Sequence, residues 1–228
     1  MTFTLDRVVL WGRSYEEYAA MFALTARDLR RGIIGCGDGP AGFNADLSRR
    51  GGRVVSVDPV YALQTAEIQS MIAASYETIM EQTRRNSHEF VWKHIQSVEE
   101  LGRIRMAAME RFLEDYPRGR TCGRYIPAVL PRLPFRDNAF GLALCSHYLF
   151  LYSGQLDAAC HVRAIREMCR VAGEARVFPL LELGAYPSRH IGGVITRLKA
   201  EGFSVQVECV DYEFQRGGNK MLRVTRAH

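Results

Sequence analysis

Short apolar runs alternate along the chain with longer stretches in which apolar positions recur every three or four residues. The short runs predict buried strands and the longer stretches predict amphipathic helices, an alternation typical of α/β domains. The order predicts a sheet with helices on both faces that ends in an antiparallel hairpin. The predicted elements are a helix from about Pro40 to Arg50 between strands at 33–36 and 53–57, a helix over 155–171, a strand over 175–181, a helix over 188–200, and paired strands over 203–210 and 221–225.

The first thirty residues predict a helical segment that acts as a lid or as a packing element. Ser14 to Glu17 form a capping box, in which a hydroxyl and a carboxylate each accept a main-chain N–H at the start of a helix. Just ahead, Trp11-Gly12-Arg13 is a candidate flap over a ligand, with Arg13 free to pair with a carboxylate. The alternative is a surface segment in which Trp11 is buried as packing.

Residues 60–119 predict a long helical insertion between the second and third strands. Apolar residues from Ile68 to Met80 follow helical spacing, and a second capping box, Ser97 to Glu100, predicts the start of another helix. We interpret the insertion as a cap that chooses the substrate; the alternative is a surface for homodimerisation.

Length and composition predict one domain, 1–228, with a substantial core, because 228 residues that are 47% apolar suffice to bury one. We find no apolar stretch long enough to span a bilayer, and the N-terminus lacks the layout of a signal peptide. These features predict a cytoplasmic protein with no membrane partner.

The net charge of +5 raises the question of a nucleic-acid partner. The basic pairs 30–31, 49–50 and 84–85 are separated by acidic residues and lie mostly at predicted helix ends, where cations complement the helix dipole. Because no basic run reaches the length of a nucleic-acid-binding tail, a nucleic-acid partner is not predicted.

The six cysteines predict neither a disulfide framework nor a metal centre. They show no C-x-x-C pair, and several lie within apolar runs, as buried thiols do. His88 and His94 lack a carboxylate or cysteine at ligand spacing, so no metal is predicted there either.

The glycine-rich stretch after the first strand carries the strongest chemical information. Gly35, Gly37 and Gly39 form G-x-G-x-G, whereas a dinucleotide fingerprint needs a further glycine at position 40, which is Pro40. Asp58 ends the second strand, where an ionised and unpaired carboxylate accepts hydrogen bonds from both hydroxyls of a ribose.

Together with three later motifs, this stretch resembles the class I S-adenosylmethionine-dependent methyltransferases over roughly residues 31–226. The later motifs are a Leu133-Pro134-Phe135 turn, a fourth strand ending at 145–147, and a helix that ends in Arg170-Val171-Ala172-Gly173. The resemblance implies a doubly wound, seven-stranded, mostly parallel sheet of Rossmann-like methyltransferase type with a C-terminal antiparallel hairpin, and S-adenosyl-L-methionine as cofactor.

The resemblance also implies the site residues. His147 is the candidate general base at the end of the fourth strand, because an imidazole titrates near neutral pH. Tyr148 lies beside it as a second catalytic candidate, and with Phe150 and Tyr152 it is expected to shape an acceptor pocket. The implied cofactor-binding residues are Gly35, Cys36, Gly37, Gly39, Asp58, Pro59, Val129, Leu130 and Ser146.

Three departures from the family pattern keep other functions open. Ile33, Val129 and Gly141 stand where the family often has acidic residues. They favour, as an alternative, a non-catalytic regulatory protein that binds S-adenosylmethionine or another nucleotide. A nicotinamide-dependent oxidoreductase is a further alternative, against which Pro40 and the terminal hairpin argue. For an active enzyme we expect a small-molecule acceptor, because the chain shows no added recognition domain.

Overall fold

Seven strands form a single sheet in the computed structural model, which describes residues 9–226. Two further short strands, β6 and β7, pair separately. In chain order the strands are β1 (Ile33–Cys36), β2 (Val54–Val57), β3 (Tyr125–Ile126), β4 (Leu142–Ser146), β5 (Glu174–Phe178), β6 (Leu181–Glu182), β7 (Tyr186–Pro187), β8 (Phe203–Cys209) and β9 (Lys220–Arg226).

The order across the sheet is β3-β2-β1-β4-β5-β9-β8. Strands β1 to β5 run parallel, whereas β9 pairs antiparallel with β5 and β8 pairs antiparallel with β9. This is the strand order of the class I methyltransferase fold. The predicted fold class, a doubly wound and mostly parallel sheet with a C-terminal antiparallel hairpin, is therefore confirmed.

Helices cover both faces of the sheet, so β1, β4 and β5 at its centre are buried along their whole length. Alternation along β1 shows the division: Ile34 belongs to the core under α5 and α6, and Ile33 to the core under α1 and α2. The helices are α1 (Tyr15–Met21), α2 (Phe43–Arg49), α3 (Thr65–Arg85), α4 (Val98–Thr121), α5 (Ala158–Val171) and α6 (Ile191–Ala200).

The insertion between β2 and β3 contains two long helices, one that the connection between these strands requires and one that is additional. Parallel neighbours such as β2 and β3 need a crossover connection, and α4, which contacts α2 and β3, supplies it. Helix α3 packs on α4 and is the addition. The N-cap at Ser97 is present, but the Glu100 carboxylate accepts the N–H of Gln96 rather than that of Ser97. A dimerisation role for this region stays a prediction.

Several predicted element boundaries differ from the structure. Helix α2 begins at Phe43 rather than Pro40, and the N–H of Gly42, just ahead of it, donates to the Arg13 carbonyl. Strand β5 stops at Phe178 because Pro179 has no N–H for the ladder. Helix α5 begins at Ala158, where the Asp157 side chain caps it by accepting the Cys160 N–H.

The N-terminal segment is tied to the domain by a buried ion pair. The predicted capping box of α1 is present, and its Glu17 carboxylate also accepts hydrogen bonds from Arg105 of α4 and from the Tyr212 hydroxyl. Burial alone would raise the pKa of Glu17, but the Arg105 guanidinium holds that pKa below its usual value. Three distant parts of the chain therefore meet at one carboxylate. Residues 1–8 of the predicted N-terminal lid, 1–30, lie outside the described residues.

Within residues 9–226, every helix is too short or too polar to cross a lipid bilayer. The cytoplasmic location stays a prediction.

We expect Arg105→Met to lower the free energy of unfolding by about 3–5 kcal/mol, because it leaves the buried Glu17 carboxylate without its cation. Arg103→Met, on the same helix but with an exposed side chain, is the matched control and should change the free energy of unfolding by less than about 0.5 kcal/mol. Urea unfolding of both variants measures the difference. Equal effects would show that the ion pair does not hold the N-terminal segment.

Candidate active site

A cavity of about 430 Å³ opens at the carboxyl ends of β1 to β4, and we call it the main cavity. Its walls come from the loops that follow these four strands, at 37–40, 58–60, 128–130 and 146–148. The neighbours of β1 in the sheet are β2 on one side and β4 on the other, so the chain order reverses here. Open α/β sheets bind ligands at such a switch point.

Most of the predicted site residues come together in the main cavity. Gly35 and Cys36 do not line it, because they lie within β1, and Cys36 is fully buried. Phe150, expected to shape an acceptor pocket, is instead a buried core residue. The predicted residues that line the cavity are Gly37, Gly39, Asp58, Pro59, Val129, Leu130, Ser146, His147, Tyr148 and Tyr152.

The three glycines have different structural roles. Gly37 and Gly39 adopt φ values of +72° and +52°, so they form the turn that only glycine makes without strain. A Cβ on Gly35 would lie 1.8 Å from the Asp38 carboxylate. The missing side chain at Gly35 therefore makes room for Asp38, and a cofactor-binding role for Gly35 stays a prediction.

Asp38 is a functional residue that sequence reasoning missed. Its carboxylate is buried and accepts hydrogen bonds from the hydroxyls of Tyr18, at 2.8 Å, and Ser56, at 2.6 Å. Burial raises the pKa of Asp38 to about 6, against the opposing effect of these two hydrogen bonds. The side chain therefore joins the glycine loop to α1 and β2. Its position between two loop glycines was the available sequence feature.

Asp58 lines the main cavity. Its carboxylate was predicted to be unpaired, but it has two main-chain hydrogen-bond partners. One carboxylate oxygen accepts the N–H of Gly39 and the other accepts the N–H of Val60, each at 2.9 Å. No described basic side chain pairs with it, and each oxygen keeps a lone pair for a further donor. Burial raises the pKa of Asp58, and the two main-chain hydrogen bonds oppose that rise.

The residues after β3 give the main cavity an apolar wall. Val129 is 47% exposed and lines the cavity next to the buried Leu130. Pro59, after β2, lines the same cavity. A flat apolar group has surfaces to contact here, and the side chain of Val129 offers no carboxylate to an adenine amino group.

His147 adopts a left-handed backbone conformation, with φ of +49°, and its N–H donates to the Phe178 carbonyl at 2.7 Å. Its Nδ1 lies 2.9 Å from the Ser146 hydroxyl, and Nε2 makes no hydrogen bond to any of residues 9–226. Burial, and then the Arg13 and Arg105 guanidiniums, hold the pKa of His147 well below its usual value. The imidazole is therefore neutral at pH 7.

Tyr148 closes one side of the glycine loop. A Cβ on Gly37 would lie only 3.0 Å from its ring, so the missing side chain at Gly37 lets the tyrosine pack there. Burial raises the pKa of Tyr148 to about 12, so its hydroxyl stays protonated and is a hydrogen-bond donor at neutral pH.

The Trp11-Gly12-Arg13 segment lies at the main cavity, and its partly buried Trp11 also packs 5.8 Å from the Tyr76 ring of α3. The Arg13 side chain donates to the Trp11 carbonyl at 3.0 Å and forms no ion pair with residues 9–226. Burial, and then Arg105, lower the pKa of Arg13 to about 10. Trp11 therefore packs against α3, and a role of this segment as a flap stays a prediction.

No protein-family model matches the chain. Over 224 residues the chain is 32% identical to the uncharacterized protein MJ0045 of Methanocaldococcus jannaschii, and the match covers 97% of this chain and 98% of that protein.

Solved structures of similar shape share little sequence with this chain. The magnesium protoporphyrin IX methyltransferase of Synechocystis PCC 6803, with bound S-adenosylmethionine, has a TM-score of 0.48 at 10% identity, over 93% of this chain and 78% of that chain. Protein PH0226 of Pyrococcus horikoshii OT3 has a TM-score of 0.49 at 13% identity, over 94% and 91%. Similarity of this degree neither identifies an activity nor places a ligand.

We expect Asp38→Asn to change how stability depends on pH. Because the pKa of Asp38 in the folded chain is about 6, above its value of about 3.9 in an unfolded chain, wild-type stability includes a term that is full below pH 4 and is lost as pH rises to about 6. An asparagine keeps partners for Tyr18 and Ser56 and cannot ionise. The free energy of unfolding of the Asp38→Asn variant, relative to that of wild type, should therefore rise by about 2–3 kcal/mol between pH 4 and pH 7.

Urea unfolding across that pH range measures this difference. Asp137→Asn, an exposed residue, is the control and should follow the wild-type profile. Parallel profiles for Asp38→Asn and wild type would show that Asp38 is ionised in both states and has no raised pKa.

Proposed function

This chain belongs to the same family as the Methanocaldococcus jannaschii protein MJ0045, and we propose that it is an S-adenosylmethionine-dependent methyltransferase. Asp58 is the observation that carries the proposal. Its carboxylate has no cationic partner among the described residues, borders the turn formed by Gly37 and Gly39, and lines a cavity at the switch point of the sheet. A ribose diol fits such an acceptor, because each oxygen has a lone pair left.

The residues of the main cavity suit the other parts of this cofactor. We assign the adenine to the apolar wall formed by Pro59, Val129 and Leu130, and the methionine end to the region of Ser146 and His147. When bound there, S-adenosylmethionine would supply a methyl group already activated by a sulfonium.

The chain's own contribution to methyl transfer is positioning, exclusion of water and removal of a proton. His147 is the group that we assign to the proton. It is neutral, its Nε2 is unengaged within residues 9–226, and the Ser146 hydroxyl holds its Nδ1. The protonated Tyr148 hydroxyl is a hydrogen-bond donor at the same cavity. We propose a small molecule as the acceptor, because the space next to His147 is narrow and mostly lined by apolar side chains.

A non-catalytic protein that binds the same cofactor is the second candidate, and Ile33 favours it. Isoleucine has no carboxylate to offer to the amino group of the methionine, and the Ile33 side chain is fully buried in the core. Gly141 does not bear on the question. It precedes β4 at the end remote from the main cavity, and a Cβ there would lie 2.7 Å from the Arg31 carbonyl oxygen, so a larger residue has no space.

We expect Asp58→Ala to weaken S-adenosylhomocysteine binding by roughly 1.5–3 kcal/mol, the range for hydrogen bonds to a charged group. Isothermal titration calorimetry with S-adenosylmethionine, S-adenosylhomocysteine and NAD measures this, and NAD should not bind. Asp137→Ala, outside the main cavity, is the control and should retain wild-type affinity. Unchanged affinity in Asp58→Ala would remove Asp58 from the cofactor site and with it the proposal's main support.

We expect His147→Asn to lower turnover by about 10²–10⁴-fold while leaving the affinity for S-adenosylhomocysteine within about twofold. Asparagine tolerates the left-handed backbone at this position and removes the base. The measurement is release of S-adenosylhomocysteine with a panel of small phenols, amines and carboxylic acids. Cofactor binding with no release from wild type on the whole panel would favour the non-catalytic alternative. An equal loss of binding and turnover in the variant would mean that His147 supports packing instead.

A further inference from the structure

A second, smaller cavity of about 90 Å³ adjoins the main cavity, and we call it the side cavity. The two share five lining residues, so these stand between them: Val9, Trp11, Arg13, His147 and Tyr152. Beyond them the side cavity extends between the added helix α3, at Ile79, and the segment after β8, at Phe214. His147 therefore borders both cavities.

The side cavity carries positive charge without a counter-charge of its own. Two guanidiniums, Arg13 and Arg105, line it, and no aspartate or glutamate is among its described lining residues. The carboxylates that line the main cavity, Asp38 and Asp58, form no ion pair with Arg13 within residues 9–226.

Glu17 forms its ion pair with Arg105 and makes none with Arg13 within residues 9–226. One of its oxygens accepts hydrogen bonds from Arg105 and from the Ser14 N–H, and the other accepts the Tyr212 hydroxyl at 2.8 Å. Arg13 keeps the Trp11 carbonyl as its hydrogen-bond partner, and its buried Nε has no partner in the described part of the chain. An anion from outside the chain would stabilise a partly buried cation in this state.

The remaining surface of the side cavity is apolar or aromatic, from Trp11, Leu101 and Phe214 among others. The buried Gln215 side-chain oxygen has no hydrogen-bond partner among residues 9–226. The side cavity thus offers apolar walls, the guanidinium of Arg13 and the side-chain amide oxygen of Gln215.

We propose that the side cavity holds the methyl acceptor and selects a small molecule with an apolar body and a carboxylate that pairs with Arg13. This inference rests on the proposed function and adds the chemical class of the acceptor. It also explains how His147 becomes useful as a base. Burial and the positive charges of Arg13 and Arg105 lower the pKa of the His147 imidazole. A carboxylate beside Arg13 offsets part of that positive charge and so raises this pKa. The anion that anchors the acceptor therefore prepares Nε2 to take the acceptor's proton.

The test uses full-length protein saturated with S-adenosylhomocysteine and four probe pairs that differ only in charge. Acetate, benzoate, phenylacetate and 4-hydroxybenzoate are each compared with the corresponding neutral amide by calorimetry. At least one carboxylate should bind wild type about tenfold or more tightly than its amide, as expected for charge-assisted hydrogen bonds. Arg13→Gln should reduce that preference to within about threefold, and Arg13→Lys should retain part of it.

Arg50→Gln, an exposed arginine outside both cavities, is the matched control and should keep the wild-type preference. Affinity for S-adenosylhomocysteine is measured first in every variant. If wild type does not bind it, the proposed function fails. If wild type binds it but shows no preference for any carboxylate, or binds none of them, the present inference is overturned. It is also overturned if Arg13→Gln weakens S-adenosylhomocysteine instead, since Arg13 would then serve the cofactor's carboxylate.

Discussion

The ion pair between two buried side chains, Glu17 and Arg105, is the interaction on which the arrangement of the site depends. Glu17 also accepts hydrogen bonds from Tyr212 and from a main-chain N–H, so it joins α1 to α4 and to the segment after β8. This connection holds the segment ahead of α1 against the glycine loop, where the Gly42 N–H donates to the Arg13 carbonyl. Trp11 and Arg13 are consequently kept at the rim of both cavities. Because Glu17 pairs with Arg105, Arg13 is left as a cation without an acidic partner in the described chain.

The two aspartates near the glycine loop, Asp38 and Asp58, have different roles. Asp38 is directed inward, takes hydroxyl donors from α1 and β2, and fills the space that Gly35 leaves. Asp58 faces the main cavity and takes two main-chain N–H groups that fix the turn at Gly39. The Tyr61 hydroxyl donates to the Gly39 carbonyl at 2.6 Å and holds the same turn from the other side. Loop shape is thus set by protein groups, and a ligand does not need to order it.

Local patterns in the sequence were sufficient for the elements and for most of the main cavity. The capping box at Ser14, the hairpin of β8 and β9 and the positions of Asp58 and His147 at strand ends follow from short stretches of chain. The role of Gly35, the added position of α3 and the side cavity do not, because each depends on contacts between residues far apart in sequence. Arg105 illustrates the limit: within α4 it is one arginine among several, and its partner lies 88 positions earlier. A helical pattern predicts which face is buried, but it does not identify the carboxylate that a buried arginine will meet.

The central claim is that the cavity at the switch point holds S-adenosylmethionine with its ribose on Asp58. A crystal structure of the protein grown with S-adenosylhomocysteine tests it most directly. The account predicts the adenosyl group in the main cavity, with both ribose hydroxyls within hydrogen-bond distance of the Asp58 carboxylate and the homocysteine end towards His147. Density for the ligand at another place, or in the cavity with its ribose away from Asp58, would contradict it.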